Sequence, residues 1–215
     1  MESVLLNANE KKINASEKAY QKIKDIILSG EASPGQQLKE AALSQALDLT
    51  RTPVREALKK LEAEDMVQMI PNRGAFVSSF SERDIFDILD TREALECKAV
   101  HLACRRANRE ELDRIREHLD WLRANVNDET KTLKLDFNFH FEIVKLSKNK
   151  FLISAWELLK NRLDLVRIRK VLSMSRDRRI EAIDASIEIL NLIADGESEL
   201  AQEKIVEHLN RIKKN

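Results

Sequence analysis

The sequence predicts a mainly α-helical protein, with an N-terminal winged helix-turn-helix followed by an all-α helical bundle. Three observations carry this. The 215 residues include only 4 glycines and 3 prolines, too little turn chemistry for a multi-stranded sheet. All the prolines, and every glycine but Gly196, precede residue 81, so only the first part of the chain is punctuated. Beyond it, apolar residues recur at helical spacing with almost no interruption.

Taken in order, residues 16–30 (SEKAYQKIKDIILSG) place Ala19, Ile23, Ile26 and Ile27 on one helical face. Ser16 can cap the start of this helix and Gly30 can stop its end, which leaves 1–15 as an N-terminal arm. Pro34-Gly35 marks a turn. KEAALSQAL predicts a short second helix with Leu43, Ala46 and Leu47 inward. A third helix is predicted from Pro53, where proline is tolerated because the first N–H has no intrahelical partner, with Thr52 as the cap. MVQMIPNRGAFVSSF alternates apolar and polar residues around Pro71-Asn72-Arg73-Gly74, which predicts a hairpin. From Ser81 the predicted helices are 82–106, 109–126, 130–147, 150–173, 177–195 and 198–213. The domain division is thus an arm (1–15), a winged helix-turn-helix (16–80) and an all-α domain (81–215).

Lys+Arg and Asp+Glu both total 37, and residues 1–80 hold 11 of each. Any anion-binding surface must therefore come from local placement rather than bulk charge. No stretch has the length and apolarity of a membrane span, and the N-terminus lacks the apolar run of a signal peptide. Cys97 and Cys104 share one predicted helix, about 10 Å apart along its axis and too far for a disulfide. These features predict a soluble, reduced, cytoplasmic protein.

The third helix opens against its own dipole: TRTPVREALKKLEAE crowds Arg51 and Arg55 at the end where cations are disfavoured. At about 100° per residue, Val54, Ala57, Leu58 and Leu61 form a core stripe. Thr52, Arg55 and Lys59 then share an adjoining exposed face, with Arg51 just ahead. In a helix-turn-helix this end enters the DNA major groove, where Arg can fork onto guanine and hydroxyls can reach phosphate. An ordinary solvated charged face is the plainer alternative, and the hairpin that follows favours DNA. Arg73 and Gly74 at the hairpin tip read either as a wing that approaches the backbone closely or as a plain turn.

Residues 17–79, through RTPVREAL and PNRGAFV, resemble the DNA-binding domain of the GntR family of bacterial transcription regulators. The resemblance implies DNA contacts from Thr50, Arg51, Thr52, Arg55 and the wing around Arg73 and Gly74. Asp48 and Asp65 stand where the family often has glycine. Asp reaches the left-handed conformation at modest cost, so less stable turns are expected rather than a lost fold.

In the second half, Arg92 and Glu96 fall within the apolar stripe of Ile85, Leu89, Leu95, Ala99 and Ala103. Charged groups facing a core must be paired or bound to something. Either the two bridge each other, or Arg92 anchors a ligand carboxylate. Asp136 and His140 are one turn apart, and His208 lies between Ala201, Ile205 and Ile212. Asp and His at that spacing can ligate one metal ion, while inward histidines are also common as hydrogen-bonded core residues. His101 and His118 read as surface or boundary residues.

REALE at 92–96, DFNFH at 136–140, SKN at 147–149 and EHL at 207–209 resemble the FCD domain of the FadR-like branch of that family. The similarity runs over residues 83–211. It implies an effector-binding and dimerisation domain with a divalent metal, most often zinc, held by one Asp and three His beside a small organic acid. Asp136, His140 and His208 match three ligand positions, and Ser186 stands in place of the remaining histidine, so Arg92 and Ser186 are the candidate effector contacts. The expected function is an operator-binding regulator, a repressor in the commoner family mode, acting as a homodimer on palindromic DNA. The rivals are a helical-bundle metalloenzyme, which lacks the Glu-x-x-His pairs of a di-metal site, and a structural partner module, which leaves the winged half unexplained.

Overall fold

The computed structural model describes residues 2–127, 139–172 and 175–213, with side chains over 15–127, 139–166 and 175–210. It divides into two compact units, Met1–Phe80 with Asp164–Ile168, and Ser81–Leu163 with Arg169–Asn215.

The first unit contains α1 (Glu2–Leu28), β1 (Gln37–Leu38), α2 (Glu40–Leu47), α3 (Arg51–Ala63), β2 (Val67–Ile70) and β3 (Gly74–Val77). The helix expected from Ser16 begins at Glu2 instead. Residues 2–15 contain neither glycine nor proline, so nothing in the backbone chemistry halts the helix there. Helix α3 likewise starts at Arg51 with Thr50 as N-cap, two residues before the predicted start, so Thr52 is not the cap. Pro53 still lies in the first turn, where a missing N–H costs no intrahelical bond. Ala19, Ile23 and Ile27 of α1 pack with Val54, Ala57, Leu58 and Leu61 of α3 in the core. Ala46, expected inward, is exposed because α2 is anchored chiefly through Leu43.

At the edge of this core the Tyr20 hydroxyl donates to the Glu64 carboxylate at 2.8 Å. Lys24 Nζ reaches both groups at 2.8 Å, which ties α1 to the end of α3. The hairpin is extended by β1, a strand without a sequence signal, giving an antiparallel sheet of order β1-β3-β2. Asp48 and Asp65 adopt φ of 53° and 59°, the left-handed conformation that glycine takes most easily.

The second unit contains α4 (Glu82–Arg106), α5 (Arg109–Ala124), helical residues 139–146 (α6), α7 (Lys150–Leu172), α8 (Arg176–Ala194) and α9 (Ser198–Lys213). Reciprocal capping boxes, Ser81 with Asp84 and Asn108 with Glu111, fix the starts of α4 and α5. Helix α4 packs on α8 and α9, and α8 packs on α5 and α9. Ile88, Leu89, Ala99, Val100, Ile115, Leu119, Ile143, Trp156, Ile189 and Ile205 are among the buried side chains. Cys97 and Cys104 are free thiols.

Candidate functional site

The exposed start of α3 presents Arg51, Thr52, Arg55 and Lys59, while Pro53, Val54, Ala57 and Leu58 are buried beneath them. No acidic residue occupies its first turn, and the Thr50 side chain makes no capping bond. The helix N-terminus therefore keeps its partial positive charge and adds guanidinium to it.

Arg55 does have a partner that spacing did not indicate. Its Nε lies 3.2 Å and its Nη2 2.9 Å from oxygens of the Glu40 carboxylate, at the start of α2. The bridge is open to water, since the Arg55 side chain is 59% exposed. Such an exposed bridge is weak, so it can orient the guanidinium without withholding it. At the wing, Gln37 Nε2 donates to the Arg73 carbonyl at 2.7 Å, and the Arg73 guanidinium stands over the Phe76 ring. Gly74 has φ of +94°, so the tip requires a residue free of Cβ strain.

In the second unit a buried polar cluster forms where α4, α6, α7 and α9 contribute side chains. Arg92 is 1% exposed and Glu96 not at all. Arg92 Nε donates to Glu96 Oε1 at 2.6 Å, and the other carboxylate oxygen lies 2.7 Å from His140 Nδ1. Burial pushes the Glu96 carboxyl up, but the Arg92 guanidinium and the His140 ring outweigh it and hold the group well below its usual range. The Nη1 and Nη2 atoms of Arg92 are buried with no hydrogen-bond partner among the described residues.

His140 and His208 face one another with ring centroids 5.3 Å apart, tilted by 38°. Two imidazoles bound tetrahedrally to one ion, at a Zn–N distance of about 2.0 Å, hold their centroids roughly 5 Å apart, so this pair has the separation of two ligands. The Glu96 carboxylate on Nδ1 is the kind of outer partner that fixes a ligating histidine's tautomer and orientation. Asp136 lies outside the described residues, and among those described no group of three or more His, Cys, Asp or Glu could hold a metal. Buried Ser186 donates its hydroxyl to the Ala182 carbonyl at 3.0 Å, so it offers a bound group lone pairs rather than a proton. His101 Nδ1 lies 2.9 Å from Ser198 Oγ. His118, expected at the surface or boundary, is half-buried in a cleft beside Phe139 and Glu142.

A family model described as bacterial regulatory proteins, gntR family, matches residues 15–77, and the FCD domain matches residues 87–211. The chain belongs to the GntR family and carries an FCD domain. It is thus a DNA-binding transcription regulator of the FadR-like branch and not an enzyme, which sets the metalloenzyme alternative aside. It is 31% identical over 181 residues to the Nta operon transcriptional regulator of Aminobacter aminovorans, covering 83% of each chain. It is 25% identical over 206 residues to the HTH-type transcriptional regulator LutR of Bacillus subtilis (strain 168), covering 87% of this chain and 94% of that one. Among solved structures, E. coli McbR/YncC superposes with a TM-score of 0.77 at 22% identity, covering 92% of this chain and 94% of that one. A GntR regulator from Rhodococcus sp. RHA1 gives 0.73 at 24% identity, covering 91% and 94%. These two likenesses are of fold. Among the described residues no helix is long and apolar enough to cross a membrane.

Sequence reasoning missed Glu40 and Trp156. Glu40 lies 15 residues from Arg55, beyond any within-helix spacing. Trp156 sits in an apolar stripe like any core aromatic, and only the fold brings its ring to 5.8 Å from the Arg92 guanidinium.

Proposed function

We propose that the protein is a ligand-responsive repressor that binds a palindromic operator as a homodimer in the cytoplasm and releases it when a small organic acid enters the FCD domain. The observation that carries this is the buried Arg92 fork, with Nε engaged by Glu96 and both Nη atoms without a partner among the described residues. A planar guanidinium end in a water-poor setting suits a carboxylate, which it can hold through two parallel N–H···O bonds.

On this reading Thr50, Arg51, Thr52, Arg55 and Lys59 contact DNA from the recognition helix, and Arg73 and Gly74 do so from the wing. A dimer would set two recognition helices about 34–36 Å apart on successive major-groove faces. The acid would change operator affinity only so far as it prefers one dimer geometry to the other. His140 and His208, with Asp136, are the residues that would hold a divalent ion, zinc by the chemistry of the donors. When bound, that ion would supply a second positive charge for the acid's oxygens. Ser186 would line the same space.

The test is a thermal-shift screen of organic acids on the full-length protein, with and without chelator, alongside Arg92→Gln. At least one acid should raise Tm in the native protein and not in the variant, and should release operator DNA in a gel shift. The metal component predicts that chelation weakens the acid's effect, and equal stabilisation after chelation would leave the two histidines as core residues. If no acid stabilises the protein, or Arg92→Gln responds as the native chain does, the effector reading fails.

A further inference from the structure

Helix α1 turns Glu17, Tyr20 and Lys24 towards the end of α3, which answers with Lys60 and Glu64. The contacts cross over in sign. Lys60 Nζ reaches Glu17 at 2.9 Å, and Lys24 Nζ reaches Glu64 at 2.8 Å. Tyr20, only 6% exposed, stands between the two pairs. Its hydroxyl donates to Glu64 at 2.8 Å and accepts from Lys24 at 2.8 Å, while Lys60 Nζ lies 3.8 Å from its ring centroid. Burial pushes the Glu64 carboxyl up, but the bonds from Lys24 and Tyr20 outweigh it and hold the group below its ordinary value. The clasp is therefore charged at neutral pH.

Beneath the clasp the two helices meet through Ala19, Ile23 and Ile27 on one side and Val54, Ala57, Leu58 and Leu61 on the other. Apolar contact resists separation without choosing a direction, whereas hydrogen bonds and ion pairs do choose. Sliding α3 by one turn along α1 sets Glu64 against Glu17 in one sense and Lys60 against Lys24 in the other, and like charges in register repel. The clasp grips α3 at the end remote from Arg51. At 1.5 Å per residue this helix is about 20 Å long, so a tilt of about 3° at Glu64 moves Arg51 by about 1 Å. A side chain that must fork onto a base edge has to be held within about 0.5 Å.

We propose that Tyr20, acting with Glu64 and Lys24, is a positioning residue for base readout: it fixes the tilt and register of α3 against α1, and so where Arg51 and Arg55 arrive in the groove. This rests on the reading of α3 as the recognition helix. Phosphate attraction is far less demanding of geometry, because it comes from charge and counterion release. A loosened clasp therefore costs the protein its choice among sequences and leaves its hold on DNA in general.

The experiment measures Kd of the full-length protein, over a range of salt, for two duplexes of equal length: one that the native protein selects from a random pool, and a scrambled one. Tyr20→Phe keeps the ring under Lys60 and removes only the hydroxyl. It should lower the ratio of selected to scrambled affinity at least about 5-fold, the smaller end of what one base contact is worth. Affinity for the scrambled duplex should stay within about twofold, with the same salt slope, because the phosphates neutralised are the same. Glu64→Lys should lower the ratio likewise, and adding Lys24→Glu, which restores the pair with its signs exchanged, should bring it back to within about twofold of native. A ratio unchanged in both single variants, or a loss shared equally by the two duplexes, would overturn the proposal and leave the clasp a stabilising contact only. Arg51→Ala and Arg55→Ala in the same assay keep the two readings apart. If they lower the ratio and Tyr20→Phe does not, the positioning role alone fails; if they leave it at the native value, the recognition-helix reading fails with it. Should Tyr20→Phe not fold, the Glu64→Lys and Lys24→Glu exchange decides, and a ratio that the second replacement does not restore would refute the clasp.

Discussion

Replacing Glu96 by Gln should destabilise the FCD domain by about 2–4 kcal/mol. The carboxylate is fully buried and takes one short bond from Arg92 Nε, at 2.6 Å, and a second contact with His140 Nδ1, at 2.7 Å. Removing one partner of a buried ion pair costs roughly 3–5 kcal/mol, because the remaining charge is left uncompensated. Gln keeps the shape and one acceptor oxygen, which recovers about 1 kcal/mol. Linkage gives a similar size from a different direction. The Glu96 carboxyl, pushed up by burial, is brought down by Arg92 and His140 to about 2 from an ordinary 4.5. A displacement of that order corresponds to about 3 kcal/mol.

The sign follows from the depressed pKa. This stabilisation is fully present above the unfolded-state value of 4.5 and is lost as pH falls towards 2. Urea unfolding, followed through the helical signal at several pH values, measures both effects. Native protein should lose stability below pH 4.5 more steeply than Glu96→Gln, and the gap between the two should close in acid. The double replacement Arg92→Met with Glu96→Leu removes both charges together and should cost less than Glu96→Gln, with the lost contact at His140 Nδ1 as its remaining penalty. A loss under about 1 kcal/mol for Glu96→Gln at neutral pH, or a gap that persists at pH 2, would refute the buried-pair argument.

Three further outcomes are expected. Arg51→Ala and Arg55→Ala should each weaken operator binding by at least about 10-fold, the worth of a bidentate base contact, with helical content unchanged. Normal operator binding by both would remove α3 as the recognition helix. Glu40→Ala should alter stability by no more than about 1 kcal/mol, because the bridge to Arg55 is exposed, yet reduce the ratio of specific to non-specific DNA affinity. An unchanged ratio in a gel shift with competitor DNA would show that Glu40 does not position Arg55. Asp48→Gly and Asp65→Gly should each stabilise the winged domain by up to about 1 kcal/mol, raising its Tm by several degrees, because both sites hold positive φ. A lowered Tm would mean that the Asp side chains contribute more than the backbone relief.

The bundle was legible because glycine and proline nearly vanish after Ser81, so helix limits followed from caps and apolar spacing alone. Prediction of 82–106 met α4 at both ends, where Ser81 with Asp84 forms a capping box and Asp84 is three residues downstream. The winged unit was less so at its edges. A two-residue strand such as Gln37–Leu38 has no period to detect and exists only because β3 offers it a backbone edge. The starts of α1 and α3 were misplaced because Ser16 and Thr52 have capping chemistry that the backbone does not use. In the cluster, Arg92 and Glu96 were visible as charges inside an apolar stripe. The link from Glu96 to His140 spans 44 residues and depends on how α4 and α6 pack, which no local spacing encodes.

Both candidate sites pair an arginine with a glutamate, and burial makes the two pairs act in opposite ways. Arg55 and Glu40 meet in water, where such a bridge contributes less than about 1 kcal/mol and salt weakens it further. On the proposed reading a base edge or phosphate would displace Glu40 at little cost, and the pair would serve as a loose guide for the guanidinium. Arg92 and Glu96 meet out of water, where parting them costs several kcal/mol. There the ligand cannot work by displacing Glu96. On the proposed reading it would add to the pair, at the fork atoms that have no partner among the described residues. That difference lets a chain with no net charge hold two arginines in opposite settings. One is held by a partner it can exchange, and the other by a partner it keeps.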